Sequence, residues 1–459
     1  MKIDIDKRKL IAAIQTADEA CFMVKGSFKH HLFGDMIAAN HPLCLINNTL
    51  HVFDGRRYRP AFDILDQIMT AYYPGITDRQ RKETTKYLTV SPKTQEREVS
   101  PPYYIPLLSE VLDIRTMQRI PYGNPDFVFL QTFPVDYPMF KPEIPIVEKY
   151  RRDVADGDKE IIDFLDEFRG YCLYRECIFR AAVLLFGPRG NNGKSTELNL
   201  ATQFVGEANT SHLSLQDTAE RFRLIGLYGK ALNAGDDIPA TYLPESSTFK
   251  KLVTGEPVVA ERKGEQPIEF QNTAKLLFAA NELPPVSDKS EAFYSRVIVL
   301  PFLHDFGNDT NADPAIKGRR WSQEELNAFC WYAINGLRRL LRNKGKFTMP
   351  GKAQAALDEY REQNDPVVSF IEETGVSGIV GKSSQAVYEE FRTFCAANGH
   401  RNVLTAKRFT SAVKNHLAKN GITTKPKKYG GKTLQCFVVD EEIQGAFRPI
   451  DDSEELPFD

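Results

Sequence analysis

Apolar residues recur along this chain with more than one period, and the changes of period divide it. From about 181 to 302, short apolar runs alternate with loops and helical patterns, as in an α/β sheet domain. The runs predict strands at 182–186, 231–234, 274–280 and 297–302. Just before them, Ile161, Ile162, Leu165, Phe168 and Cys172 fall on one face at helical spacing. Residues 100–145 are rich in proline and aromatics and read as short strands and loops, at 103–106, 127–130 and 133–137. A long helix is expected from Ser322, where Ser322 and Glu325 have capping-box spacing. It turns Leu326, Phe329, Cys330, Ile334, Leu337 and Leu341 inward and stops at Gly345.

After Pro350 the order is helix, helix, hairpin. One helix carries Val387, Tyr388, Phe391 and Phe394 and ends at Asn398-Gly399; the next opens at Thr405 with Phe409, Val413 and Leu417 inward and ends at Asn420-Gly421. A two-stranded ribbon with Tyr429-Gly430-Gly431 at its tip completes a winged-helix order. The first hundred residues mix short apolar runs with basic clusters, such as Arg56-Arg57, and show no chemistry that can be named.

At 459 residues the chain exceeds one ordinary domain, and 42% hydrophobic with 26% charged residues is a globular composition. No run reaches the ~18–20 apolar residues of a membrane helix, and the amino terminus lacks the apolar stretch of a signal peptide. The seven cysteines are scattered without a Cys-x-x-Cys pair, which reads as buried, reduced thiols in a cytoplasmic protein. Net charge is only −2, yet 400–435 holds nine Lys or Arg and no acid, followed by an acidic tail at 441–459. A basic block of this kind points to nucleic acid more than the total charge does.

The strongest chemical signal is Gly187-Pro-Arg-Gly190-Asn191-Asn192-Gly193-Lys194-Ser195-Thr196, a glycine-rich loop between a strand and a helix. Its backbone N–H groups can cradle phosphates at the helix's positive end. Lys194 would reach the β- and γ-phosphates of ATP, and Ser195 would ligate Mg²⁺. Five residues, rather than the usual four, separate Gly187 from Gly193-Lys194: either the loop is one residue longer, or Gly190 takes over part of the first glycine's role. Gly235-Asp236-Asp237 ends the next strand, offering Asp236 to the metal and Asp237 to the attacking water. Asn281 ends a buried strand where an amide can sense the γ-phosphate, and Arg296 precedes another strand as a candidate arginine finger for a neighbouring subunit.

In this order, with Phe249-Lys-Lys-Leu-Val-Thr-Gly-Glu-Pro-Val-Val-Ala-Glu-Arg-Lys between the second and third elements, the text resembles the superfamily 3 helicases. It is most similar to the phage and plasmid primase-helicase type and its poxvirus relatives, over roughly residues 100 to 435. The resemblance implies a P-loop AAA+ core, a parallel sheet flanked by helices, at 179–345. It implies a helicase-associated α/β region at 101–178 and a winged-helix domain at 346–440, leaving 1–100 without a role. Arg262 and Lys263 would sit at the tip of a pore hairpin on DNA, and Lys250 would face a neighbour's nucleotide. Lys407, Arg408, Lys414, Lys427 and Lys428 would contact duplex through the winged helix. Asp4-Ile-Asp6 mimics a primase acid pair, but no fold precedes it to hold a metal, so it is set aside.

The implied activity is ATP-dependent DNA unwinding by a homo-oligomeric ring, a hexamer, moving three-prime to five-prime on single-stranded or forked DNA. A separate primase or polymerase would be a partner, and no membrane is involved. Two other classes remain open at this point: an origin-binding and melting initiator ATPase, and a non-helicase DNA motor.

Overall fold

The computed structural model describes residues 5–122, 124, 126–236, 238, 243, 245–261, 267–286, 288–310, 312–397, 403–429 and 432–440. The chain forms two compact units, 1–357 and 358–459.

At the centre of the first unit is a five-stranded parallel sheet. Its spatial order is Thr210–Ser211, Leu232–Gly235, Lys275–Ala280, Ala182–Phe186, Val297–Pro301. The four longer strands lie where the apolar runs predict them. They are buried almost throughout, as strands covered on both faces must be. The Ala182–Phe186 strand therefore has neighbours on both sides, and its carboxyl end carries the glycine-rich loop into the Lys194–Val205 helix.

The helix read at 161–172 spans Lys159–Leu173 and packs along the long Gln323–Arg342 helix. Glycines make the crossing close. A Cβ on Gly170 would lie 2.1 Å from the Ala333 carbonyl oxygen, and one on Gly336 would lie 2.6 Å from the Asp166 backbone. The capping box at Ser322 and Glu325 forms in both directions.

One part of the strand reading is corrected. In 100–137 the sheet strands are Tyr104–Pro106, Glu110–Asp113 and Gln118–Pro121. Residues 127–130 and 133–137 join no ladder, although Val128, Phe129, Phe133 and Val135 are buried. Pro134 and Pro138 interrupt the donor pattern a strand needs. The backbone instead makes single bonds, Tyr58 N–H to Phe129 O and Ser100 N–H to Val128 O.

The first hundred residues form a four-stranded sheet in the order Tyr58–Pro60, Thr49–Phe53, Leu43–Ile46, Gln95–Glu96, with helices His30–Asn40, Ala61–Tyr72 and Asp78–Val90. This region is fastened to the central sheet domain by polar side chains. Arg57 donates to Asn209 Oδ1 at 2.8 Å, and the Tyr228 hydroxyl donates to His51 Nε2 at 3.1 Å.

In the second unit, helices Pro366–Ile379, Ser384–Ala397 and Ala406–His416 enclose Phe370, Phe391, Phe409 and Val413. A hairpin of Ile422–Tyr429 against Lys432–Val439 follows. Residues 398–400 and the tip glycines Gly430 and Gly431 lie outside the described residues. Among the described residues no helix is long and apolar enough to cross a membrane, and the seven cysteines are free thiols, six buried and Cys21 exposed.

Candidate nucleotide-binding site

The extra residue of the loop can be located. A Cβ on Gly187 would meet Asn192 Nδ2 at 2.1 Å and Phe302 O at 2.4 Å, so the first glycine keeps its role. Gly190 has no atom within 4 Å of that position, and so takes over no steric duty. The loop is one residue longer, and Asn191 adopts a left-handed conformation with φ 57°. Asn191 is braced from the segment after the last strand. Its carbonyl accepts from Phe306 N–H at 3.0 Å, and its Oδ1 accepts from Lys317 Nζ at 3.3 Å. Asn192 folds back inside the loop, donating to Arg189 O at 2.7 Å. Gly193, with φ 88°, starts the helix against the Phe306 ring.

Lys194 is buried, and its ammonium sits among oxygens: Gly187 O at 2.7 Å, Asn192 Oδ1 at 3.0 Å, Asn281 Oδ1 at 3.0 Å and Arg189 O at 3.4 Å. Ser195 Oγ donates to Asp236 Oδ1 at 3.3 Å. Two neighbouring strand ends thus deliver Asp236 and Asn281 to the loop that follows the next strand, Ala182–Phe186. Lys194, Ser195, Asp236 and Asn281, with Gly190, Asn191, Asn192, Gly193 and Thr196, line one cavity of about 1040 Å³, whereas Gly187 is not part of its lining. Its other walls are Ile146, Tyr150 and Val154 on the Pro145–Val154 helix, and Phe306, Ile316 and Lys317 beyond the last strand. A polar end with a lysine, a hydroxyl and a carboxylate joined to a partly apolar end suits a nucleoside triphosphate with a hard cation.

Asp237, Arg262 and Lys263 lie outside the described residues. The hairpin that would carry the last two is present at its base, Pro257–Ala260 paired antiparallel with Ile268–Gln271. Arg296 and Lys250 are not among the cavity's lining residues. The Arg296 guanidinium donates to Ala292 O, and Lys250 Nζ lies 2.6 Å from Asp288 Oδ2.

A buried network behind the loop has no counterpart in the sequence reading. Glu197, two residues past Ser195, receives Arg169 Nη2 at 2.8 and 2.6 Å, Arg169 Nε at 3.1 Å, and the Tyr150 hydroxyl at 2.9 Å. Arg169 also pairs with Asp166, which holds Arg151. Burial pushes the Tyr150 phenol far up, so it stays a donor. A charged residue on the inward face of the loop's helix was the available signal.

In the second unit Lys407 and Lys414 line a shallow cavity of about 420 Å³ with Ser384, Gln385 and Thr424. Arg408 is exposed, but not part of that lining. Lys427 and Lys428 are exposed on the first hairpin strand, where successive side chains alternate faces.

Two family profiles match: residues 185–296 match a family of unknown function, DUF5906, and residues 362–444 match the poxvirus D5 protein-like family. Replication protein E1 of Human papillomavirus 30 is 28% identical over 195 residues, 40% of this chain. Protein 121R of Invertebrate iridescent virus 3, which carries a helicase designation, is 24% identical over 273 residues, 49% of this chain. The aligned stretch spans 29% of the length of each of these two relatives. Among solved structures, the apo NrS-1 C-terminal region superposes with a TM-score of 0.51 at 15% identity, covering 89% of this chain and 98% of that one, and so shares its fold. These likenesses bear out the resemblance read from the motifs: the chain is similar to the superfamily 3 helicases of primase-helicase type.

Proposed function

We propose that this chain is an ATP-driven DNA helicase motor of a virus, phage or other mobile element. The observation that carries the reading is the convergence of Lys194, Ser195, Asp236 and Asn281 on one cavity. The match of residues 362–444 to the poxvirus D5 protein-like family and the replication and helicase designations of the relatives support the same reading.

Residues 179–345 act as the AAA+ core in this proposal. Lys194 and the N–H groups of the loop hold the β- and γ-phosphates of ATP. Ser195 and Asp236 hold Mg²⁺, which offsets charge on the transferred phosphoryl group. Asn281, its oxygen committed to Lys194, can donate to a phosphate oxygen or orient the attacking water beside Asp237. The subunits form a hexameric ring, and Arg296 and Lys250 face the nucleotide of the next subunit. Hydrolysis moves the 257–271 hairpin, with Arg262 and Lys263, along single-stranded DNA. The second unit, three helices followed by a hairpin, is a winged helix that grips duplex through Lys407, Arg408, Lys414, Lys427 and Lys428.

Steady-state ATP hydrolysis with and without single-stranded DNA tests the site. Wild type should hydrolyse ATP faster on adding DNA, and Lys194→Ala and Asp236→Asn should each lose about 10² or more in kcat. Hydrolysis that survives Lys194→Ala at the wild-type rate would remove the basis of the proposal.

A further inference from the structure

The pairing of Lys250 with Asp288 joins two parts of the chain that the proposed motor must coordinate. Lys250 lies on the Ser247–Thr254 helix, which ends at Gly255, with φ 69°, and leads directly into the hairpin strand at Pro257. Asp288 lies in the segment that begins at Asn281, the amide on Lys194, and ends at Arg296. An apolar and a polar contact tie the helix to that segment. One is the Phe249 ring against the Phe293 ring, centroids 5.5 Å apart, both buried. The other is the ion pair. Asp288 Oδ2 takes both Lys250 Nζ at 2.6 Å and Ser246 Oγ at 2.5 Å, while its Oδ1 takes Ser290 N–H at 3.0 Å.

This carboxylate is well fixed as an anion. Burial opposes its charge, but the bonds from Lys250, Ser246 and Ser290 outweigh burial and hold it below the usual carboxylate range. The pair is not sealed: the Lys250 side chain is 29% exposed and the Asp288 side chain 18%. An ammonium there can be reached from outside the subunit. It has two anions to choose between, a fixed carboxylate of charge −1 and a terminal phosphate of greater charge.

We propose that Asp288 is a resident anion for Lys250, which the terminal phosphate of ATP bound by the adjoining subunit must displace. The proposal rests on the ring reading given above. Displacement releases the ion pair of the joint between the hairpin's helix and the 281–296 segment, while the Ser246–Asp288 bond at the helix start and the Phe249–Phe293 contact remain as a pivot. Arrival of nucleotide in one subunit is thereby transmitted to the hairpin of the next. A competing intramolecular partner lowers the fraction of subunits whose lysine is available, and so weakens apparent ATP affinity by that fraction.

The test is ATP titration of DNA-stimulated hydrolysis by the full chain, comparing wild type, Asp288→Asn, Lys250→Ala and the double variant. Asp288→Asn keeps the shape and removes the competing charge. It should lower KM for ATP about threefold to tenfold without lowering kcat. Lys250→Ala should lower kcat, and the double variant should match Lys250→Ala, since Asp288 acts through the lysine. Ser246→Ala, which removes one hydrogen bond to Asp288 and no charge, should shift KM in the same direction by less; it decides the matter if Asp288→Asn does not fold. A rise in KM, or a kcat loss equal to that of Lys250→Ala, in Asp288→Asn would overturn the proposal, since Asp288 would then only align the lysine. Wild-type kinetics in Lys250→Ala, with hydrolysis abolished in Lys194→Ala, would overturn it by removing Lys250 from the reaction while leaving the ATPase itself standing. Loss of neither would refute the ATPase site first.

Discussion

Replacing Arg169 by methionine leaves Glu197 buried, with the Tyr150 hydroxyl as the remaining partner of the three-residue network. Both side chains of the ion pair are only 3% exposed, so water cannot replace the guanidinium without opening the packing. Breaking a buried pair by removing one member costs about 3–5 kcal/mol, because the survivor is an uncompensated charge. Unfolding entropy of about 2.1 cal/mol/K per residue, over the unit of residues 1–357, gives about 0.75 kcal/mol/K. The expected fall in Tm is therefore about 4–7 °C. Thermal unfolding followed by far-UV circular dichroism reads it. Arg169→Met with Glu197→Leu removes both charges at similar volume and should recover most of the loss, leaving chiefly the unpaired Tyr150 hydroxyl. A single variant that melts within about 1 °C of wild type, or a double variant that melts lower than the single, would refute the reasoning.

Gly170→Ala should cost about 3 kcal/mol or more, since its Cβ would press the Ala333 carbonyl at 2.1 Å and Leu337 N at 2.9 Å; a melting comparison with wild type reads the loss. His51 is buried, donating from Nδ1 to Thr49 O and accepting from Tyr228, and burial holds its pKa down at about 4, against 6.5 when unfolded. The unfolded chain then takes up a proton that the fold refuses, so stability is lost as pH falls from 6.5 to about 4. The loss reaches about 3 kcal/mol at 1.36 kcal/mol per unit. Urea titrations across that range should show the slope, and His51→Gln should flatten it. For duplex binding, Lys427→Ala with Lys428→Ala should reduce the slope of log K against log salt by about 1–2, as one or two phosphate contacts are lost. An unchanged slope would take these two lysines off the DNA.

The parts of the fold legible in the sequence are those fixed by neighbours along the chain. Ser322 and Glu325 close a capping box three residues apart, and the glycine-rich loop announces itself by residue type. Runs such as Ala182–Phe186 must be buried strands whatever surrounds them. Sheet order is another matter. Nothing local to 182–186 says that it lies between 275–280 and 297–301, and that placement is what brings Asn281 to Lys194. The failed strands at 127–130 and 133–137 show a limit of the same kind. Apolar content reported their burial, but pairing depends on a partner edge that neither finds, and in 133–137 Pro134 also lacks the N–H a ladder needs. Within the site, the question of Gly187 against Gly190 needed the Asn192 side chain in place, since the steric demand comes from a residue five positions on. Arg169 and Asp288 carry no motif; each matters through a partner distant in sequence. The region 1–100 resisted reading because its strands are short and its polar anchors, Arg57 and His51, find their partners at Asn209 and Tyr228.

The most direct test of the motor is unwinding of a forked duplex by the full chain at low salt, with ATP and Mg²⁺, for wild type and Lys194→Ala. Strand separation by wild type that needs ATP and is lost in Lys194→Ala is the predicted result. DNA-stimulated hydrolysis that needs Lys194 but separates no strands would contradict a stand-alone helicase and leave the chain an initiator, or a motor that requires a partner.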